Sequence, residues 1–547
     1  MPLLSQTTRF SSSAGRWAWM VAAAIVLAAL AAADGRIRSL VLNTALLVLG
    51  VWLVSLPLGT LAAILFARTD LGARRAAAAL LGGILFVPLY LHAAAWEAGF
   101  GLQGWATLAL GRGAWLEGFS AAAWIHGVAS VPWVALIVGT GLRLVEPELE
   151  EQALLDGSPR DVLVRVTLPA SLGAVGVAAL WVAVTTSSEI AVTDLFGVRT
   201  FAEEIYTQTA IGPQEVNGAP VGPPGFLPTL LVTALAVLGG LVILLAITSA
   251  GRPQTLRSPF LYPLGRWGPV ATGIVALAVL LVVGIPAINL VSKAGIAVNQ
   301  TAAGRVRTWS LEKCLLVVGG APWRYRQEFG WTIMIGSLAA TAAVLAGTIL
   351  AWIARFEGIG RKLVWTLVAA GLAAPGPVIG LAVIWLLNRP GAPLLVFLYD
   401  QSILAPLAAQ TIRALPPAVM VMWFAFQSIP RSVIDAALVD GAGSWGVLWR
   451  VALPWKRSAT IAAWLLAAVV AIGDLSASIL TVPPGVPLLP VRIFTLLHYG
   501  VEDQVAGICL ALSAGFAASG WLVALALAAV VGRVGARQAE GRSGASR

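Results

Sequence analysis

Runs of about twenty apolar residues recur along the chain, and a run of that length matches the hydrocarbon thickness of a bilayer. They fall at 17–33, 40–66, 77–96, 120–142, 170–192, 226–249, 268–290, 330–353, 364–387, 402–427, 459–481 and 504–531. A spanning segment must satisfy its backbone hydrogen bonds internally, so these runs are expected to be helices. The fold class that follows is an all-α polytopic membrane protein with about 12 transmembrane helices. Composition agrees: charged residues are 11% of 547 and hydrophobic residues 59%, where soluble domains carry about 25% charge. The apolar stretch 102–110 is too short to span and reads as interfacial. The run 17–33 follows Arg9 and Arg16 and ends on Ala31, Ala32 and Ala33, so a cleaved signal peptide competes with a span there; a retained span is the reading adopted.

A net charge of +10 raises the question of nucleic acid, but the arginines are scattered among short loops instead of forming one patch. That scatter sets orientation in membrane lipid. With the N-terminus inside, the short loops of the inner side collect most of the basic residues, which places both termini in the cytoplasm. No nucleic-acid partner is expected. Two cysteines (Cys314, Cys509) and three histidines (His92, His126, His498) supply too little for a metal centre, and no metal ligand is assigned.

The chain also resembles itself. Residues 151–169 read EQALLDGSPRDVLVRVTLP and 435–454 read DAALVDGAGSWGVLWRVALP. Asp156-Gly157 aligns with Asp440-Gly441 and Ala153 with Ala437, with one extra residue before Leu453-Pro454 relative to Leu168-Pro169. Pro132 and Pro416 lie equally far upstream. Glu189 corresponds to Asp474, and PLGTLAAILFAR (57–68) resembles LAGTILAWIAR (345–355). Two copies of six spans, an even number, run parallel about a pseudo-two-fold axis along the membrane normal. The expected divisions are a first repeat over 1–250 (core about 40–249), an inner loop, span and long outer loop over 251–329, a second repeat core over 330–532, and a cytoplasmic tail over 533–547.

Each repeated segment is polar, helical in pattern and interrupted by Gly, which can take a left-handed conformation and end a helix. Each closes on Leu-Pro, where Pro can open the next span. Two short helices lying flat on the inner face are expected. At this point the sequence resembles the cytoplasmic Glu-Ala-Ala loop of permease subunits of type I ATP-binding-cassette importers. The residues carrying the resemblance are Glu151, Ala153, Asp156, Gly157, Leu168 and Pro169, then Asp435, Ala436, Ala437, Asp440, Gly441, Leu453 and Pro454. Gln152 and Asp435 depart from the family pattern. The double-length form looks like the fused iron(III)- and thiamine-type permeases. The resemblance implies loops that dock into ATPase subunits, in two copies, and an extracytoplasmic substrate-binding protein that delivers a small solute. Iron(III) is the solute favoured, with thiamine or another small ion as alternatives.

No lysine follows a glycine, so the phosphate loop of an ATPase is missing. The resemblance therefore implies a transport subunit rather than an enzyme, with no cofactor of its own and ATP bound by the partner subunits.

Ionisable groups within spans mark functional candidates. Arg413 lies mid-span before Pro416-Pro417, whose freed carbonyls could accept from the guanidinium; a substrate contact is the other reading. His126 is a packing histidine or a path residue. Glu189 and Asp474 sit near the outer ends of the fifth spans, as paired carboxylates facing a path or as caps of loop amides. Asp194 has no acidic counterpart. Trp309, Trp323, Arg324, Tyr325 and Arg326 in the loop 291–329 suit either a delivery protein or the lipid interface.

A twelve-span secondary transporter driven by an ion gradient competes through the basic turn Arg68–Arg75. It leaves the duplicated Asp-Gly segments unexplained. A polytopic membrane enzyme lacks a cluster of catalytic residues on one face.

Overall fold

A computed structural model of the chain describes residues 35–111, 113–211, 214–216, 219–221, 260–301, 304–389 and 391–544. The expected spans 17–33 and 226–249 lie outside these residues. The other ten all appear as apolar helices, seven of them single: Gly35–Arg68, Gly118–Arg143, Pro159–Ser187, Gly265–Gly295, Arg326–Ala354, Leu404–Gln427 and Asp503–Ala526. Three are helix pairs broken in the middle. Arg74–Ile84 meets Leu89–Leu110 at 103°, Ile359–Ala373 meets Gly376–Leu387 at 112°, and Ser444–Trp455 meets Arg457–Gly473 at 83°. The runs 77–96 and 364–387 are therefore not continuous spans. Proline is the physical reason: Pro88 and Pro375 are both extended (ψ 148° and 141°) and open the second helix of their pair, and proline excludes a helical residue before it. The run 459–481 also ends early, at Gly473. The stretch 102–110 belongs to the second arm of the first broken pair, as the short helix Trp105–Leu110. The chain is an all-α polytopic membrane protein.

Small residues let the long helices approach closely. A Cβ on Gly59 would run into Val134, and one on Gly127 into Val54, so Gly35–Arg68 and Gly118–Arg143 meet through glycine. Gly347 against Ala418 does the same for Arg326–Ala354 and Leu404–Gln427. Each set has its own apolar core, one around Val51, Ile125 and Val182, the other around Trp352, Met422 and Phe426. A third core joins Tyr90 and Leu91 to Ile493, Phe494 and Phe516. There Gly473, at the end of Arg457–Gly473, faces Pro88. The far end of Arg457–Gly473 thus meets the break of the first broken pair, and both Asp-Gly segments lie at the other end of the bundle, here termed the loop face.

The order of elements recurs: a long helix, a broken pair, a helix, a short helix, then a one-turn π-helix leading into a span. The π turns are Leu163–Thr167 and Leu448–Ala452, each followed directly by Leu-Pro. The outer-loop region holds the paired strands Ile296–Thr301 and Gly304–Trp309 and the helix Leu311–Arg324.

The two Asp-Gly turns differ. Gly441 has φ +83°, and the amides of Gly441 and Ala442 bond to Leu438 and Ala437 carbonyls at 3.0 Å each, which is the Schellman pattern of a left-handed helix stop. Gly157 does not take the expected left-handed form; its φ is −145° and ψ 166°. The cause lies in the next two residues. Pro159 forces Ser158 to be extended, and Ser158 caps the next helix by accepting from Asp161 N at 3.3 Å. Gly441→Ala is accordingly expected to destabilise the protein by about 1–2 kcal/mol. Gly157→Ala, whose added methyl would meet only ordinary contacts at 3.5 Å and beyond, is expected to leave stability unchanged. Denaturation midpoints of the two variants in detergent check this, and equal losses would contradict it.

Candidate functional site

On the loop face the chain leaves Gly118–Arg143, turns, and forms Pro147–Asp156, with Pro147 at the first helical position. The side chain that anchors this helix is Glu150, beside the Glu151 singled out by sequence. Glu150 and Arg68 are wholly buried and 2.7 Å apart. Glu150 also accepts from Thr167 Oγ1 at 2.6 Å and the Tyr262 hydroxyl at 3.3 Å, and Arg68 Nε donates to the Leu142 carbonyl at 3.0 Å. A buried ion pair is tolerated only when its remaining donors and acceptors are also satisfied. Here the network ties the short helix to the end of the first long helix, to the end of Gly118–Arg143, to the π turn, and to the strand-like contact of Thr69 with Tyr262.

The second segment, Arg431–Val439, is held differently. Ile434 stands where Glu150 stands in the first copy, and it packs with Val433 and Ala437 onto the apolar core. Arg355, the counterpart of Arg68, lies over the Trp352 ring at 5.2 Å, and Trp352 Nε1 donates to Ser444 Oγ at 3.1 Å. Lys456 Nζ bonds Ser428 Oγ at 2.8 Å, joining the ends of two further helices.

Glu151, Asp156, Gly157, Pro169, Asp435, Ala436, Asp440, Gly441 and Pro454 are exposed, while Ala153, Leu168, Ala437 and Leu453 are half-buried. Two apolar residues stand bare among them, Leu155 (86% exposed) and Val439 (87%), each two residues before its Gly. The two bare side chains occupy matching positions in the repeated segments.

At the opposite ends of the same helices, Glu189 and Asp474 cap the turns that follow. Glu189 accepts from the amides of Ala191 and Val192 at 2.6 and 3.0 Å; Asp474 accepts from the amide and hydroxyl of Ser478 at 3.0 and 2.9 Å. Each also faces a polar group of the neighbouring span: His126 Nε2 is 3.4 Å from Glu189, and Arg413 Nε is 3.5 Å from Asp474. The structure brings these four residues together as two separate pairs, one in each half. Arg413 also reaches a freed carbonyl at 3.4 Å. It belongs to Ala374, at the broken pair, not to the turn before Pro416.

Between the halves on this far face lies a cavity of about 540 Å³ lined by Asp194 and Tyr206 from one and by Phe494, His498 and Tyr499 from the other. Asp194 Oδ2 and His498 Nε2 are 3.1 Å apart, and the Asp194 carboxylate holds the imidazole pKa above its ordinary value.

Sequence reasoning missed Arg68, Glu150, Thr167 and Tyr262, and gave Asp194 and His498 little weight. The signal for Arg68 was present in the repeated Ala-Arg that ends both 57–68 and 345–355. The others depend on partners 17 to 304 residues away.

Residues 343–537 match the family described as binding-protein-dependent transport system inner membrane component. A stretch of 137 residues is 31% identical to the diacetylchitobiose uptake system permease protein of Streptomyces coelicolor, covering 23% of this chain and 40% of that one. Over 180 residues the chain is 28% identical to the putrescine transport system permease protein of Escherichia coli, covering 32% and 63%. A putative molybdenum transport system permease protein of Bacillus subtilis is 22% identical over 179 residues, covering 31% and 79%. The chain spans about two fifths and under two thirds of the length of the first two of these relatives.

The buried network makes a sharp prediction. Arg68→Met strands the Glu150 carboxylate and is expected to cost about 3–5 kcal/mol, whereas Glu151→Gln, on an exposed neighbour, stays within about 0.5 kcal/mol. Adding Glu150→Leu to Arg68→Met should recover much of the loss. Chemical denaturation in mixed micelles measures all three, and equal effects for Arg68→Met and Glu151→Gln would refute the anchoring role.

Proposed function

We propose that this chain, whose residues 343–537 match the family of binding-protein-dependent transport system inner membrane components, is a double-length permease of an ATP-binding-cassette importer, with both transmembrane units fused. The observation that carries the reading is the pair of Asp-Gly segments at one end of the bundle, each presenting one bare apolar residue, Leu155 and Val439, at the same spacing from its Gly. The loop face is cytoplasmic, and each segment seats one copy of a separate ATPase, which supplies the phosphate chemistry for which this sequence has no motif. Both termini lie on that side of the cell membrane. A binding protein delivers a small solute to the far face.

Force applied to a loop passes into the helices by two routes. In the first half it runs through Glu150 and Arg68 to the end of Gly35–Arg68. In the second it runs through the packed Ile434 and the Trp352–Ser444 bond to Arg326–Ala354. Both loops also continue directly through a π turn into the span behind them. ATP-driven closure of the ATPase pair then rocks the two halves about their shared core, and the far face opens.

The resemblance in the sequence proposes iron(III) or thiamine as solute. The relatives are named for diacetylchitobiose, putrescine and molybdenum, so the choice for this chain rests on its own lining residues.

Leu155→Asp combined with Val439→Asp changes only exposed positions and leaves the fold intact. It is expected to weaken capture of the ATPase from detergent extract by about 30-fold or more, the effect of losing an interface anchor of about 2 kcal/mol. Undiminished capture by the double variant would remove the loops as the coupling site, and uptake driven by an ion gradient without any ATPase would make the chain a secondary transporter.

A further inference from the structure

The far-face cavity is a feature neither the family match nor the loops explain. Its two walls come from different halves of the chain, so any movement of one half against the other changes its shape. Asp194 enters from the short helix Ala191–Leu195 and Tyr206 from Phe201–Ile211; Phe494 and His498 enter from Leu489–Leu497 and its end. Rings form much of the wall, with Tyr206 edge-on to Phe494 at 6.5 Å and Phe494 edge-on to His498 at 4.7 Å.

The hydrogen bonds of His498 fix what Asp194 is paired with. His498 Nδ1 lies 2.9 Å from the Phe494 carbonyl and must carry a proton to bond it. Nε2 therefore donates to Asp194 only when the ring is doubly protonated. The counter-ion of Asp194 is thus an imidazolium, a charge that comes and goes near neutral pH. Charged groups close by are of both signs, with Glu97 on the His498 side and Glu203 and Arg199 on the Asp194 side. Glu203 Oε1 accepts from Thr207 at 2.7 Å, and its other oxygen is buried with no hydrogen-bond partner among the described residues. Glu204 is neutralised by Arg36, and Lys293 lies on the Glu97 side. Among the described residues no arginine or lysine lines the cavity.

From this geometry, and resting on the permease reading above, we propose that the cavity binds a small organic cation, which displaces the His498 side chain from the Asp194 carboxylate and lies against the rings of Tyr206, Phe494 and Tyr499. One carboxylate backed by aromatic faces is the recognition chemistry of an ammonium-type group. A hard metal ion would ask for about six oxygen ligands, and no cluster of three or more metal-binding side chains occurs among the described residues. An anion would meet the Asp194 carboxylate with no arginine or lysine in the cavity lining to offset it. The depression is open to the far face and its volume, about 540 Å³, admits a small molecule. Because the cation and the protonated imidazole compete for one carboxylate, affinity rises with pH until His498 is neutral.

The test is equilibrium binding to the full chain in lipid nanodiscs, by calorimetry, with putrescine and thiamine as cationic probes, molybdate as an anion and diacetylchitobiose as a neutral solute. At least one cation is expected to bind while the other two solutes do not, with affinity falling up to tenfold per pH unit below the His498 pKa. Asp194→Asn should weaken binding tenfold or more. His498→Gln should act in the opposite direction, tightening binding at pH 6 and flattening its pH dependence, a gain that damage to the fold does not produce. No binding by either cation, unchanged affinity in Asp194→Asn, weaker binding in His498→Gln, or binding of molybdate instead would each overturn the proposal. Neither variant touches the loop face, so ATPase capture that persists while cation binding fails refutes this inference alone. Lost capture by a loop-intact chain that still binds cations refutes the permease reading alone.

Discussion

A backbone amide or carbonyl in hydrocarbon has no water to bond, so every interruption of a spanning helix must be satisfied by protein. This chain interrupts two of its expected spans, 77–96 and 364–387, and bends sharply at the foot of a third. The Ala374 carbonyl, freed where Pro375 turns the chain, takes a bond from Arg413 at 3.4 Å. The amides exposed where Pro159–Ser187 and Arg457–Gly473 end are taken up by Glu189 and by Asp474. Arg413 is thus held at a break, and Glu189 and Asp474 at the turns that follow their spans. Each carboxylate serves two tasks, capping a turn and balancing His126 or Arg413 on the adjacent span. Such sites resist drift, because moving the carboxylate would open both the turn and the pair.

The loop face follows a different logic in each half. Around Glu150 the contact is polar and wholly enclosed, and it converges on one guanidinium. Around Ile434 it is apolar and spread over a wider core. A buried ion pair fails steeply when one member is lost, whereas apolar packing loosens by degrees. The two short helices are thus anchored by contacts of unlike stiffness.

Much of this was legible in the sequence, for identifiable reasons. Spans register in composition alone, so ten apolar runs became apolar helices or broken pairs of them. The Asp-Gly segments stood out because two copies occur. What escaped depends on three-dimensional phase. Glu150 and Glu151 are equally acidic neighbours about 100° apart on a helix, and only the position of Arg68 decides which is buried. Gly157 was expected in a left-handed turn, but Ser158-Pro159 redirected it locally, a signal present in the sequence and outweighed by analogy with Gly441. Asp194 and His498 are 304 positions apart, and nothing in either neighbourhood announces the other.

The central claim is that ATP acting on the loop face moves the far face. Spin labels at exposed Arg199 and Tyr499, one in each half and the second in the cavity lining, report that movement directly, since Cys314 and Cys509 are buried and leave the labelling specific. In nanodiscs containing the chain with its captured ATPase, pulsed dipolar spectroscopy is expected to show the label separation shift by several ångströms when ATP is added, and to stay fixed without the ATPase. A separation indifferent to ATP in the assembled complex, or one that changes with an ion gradient in the chain alone, would contradict the account.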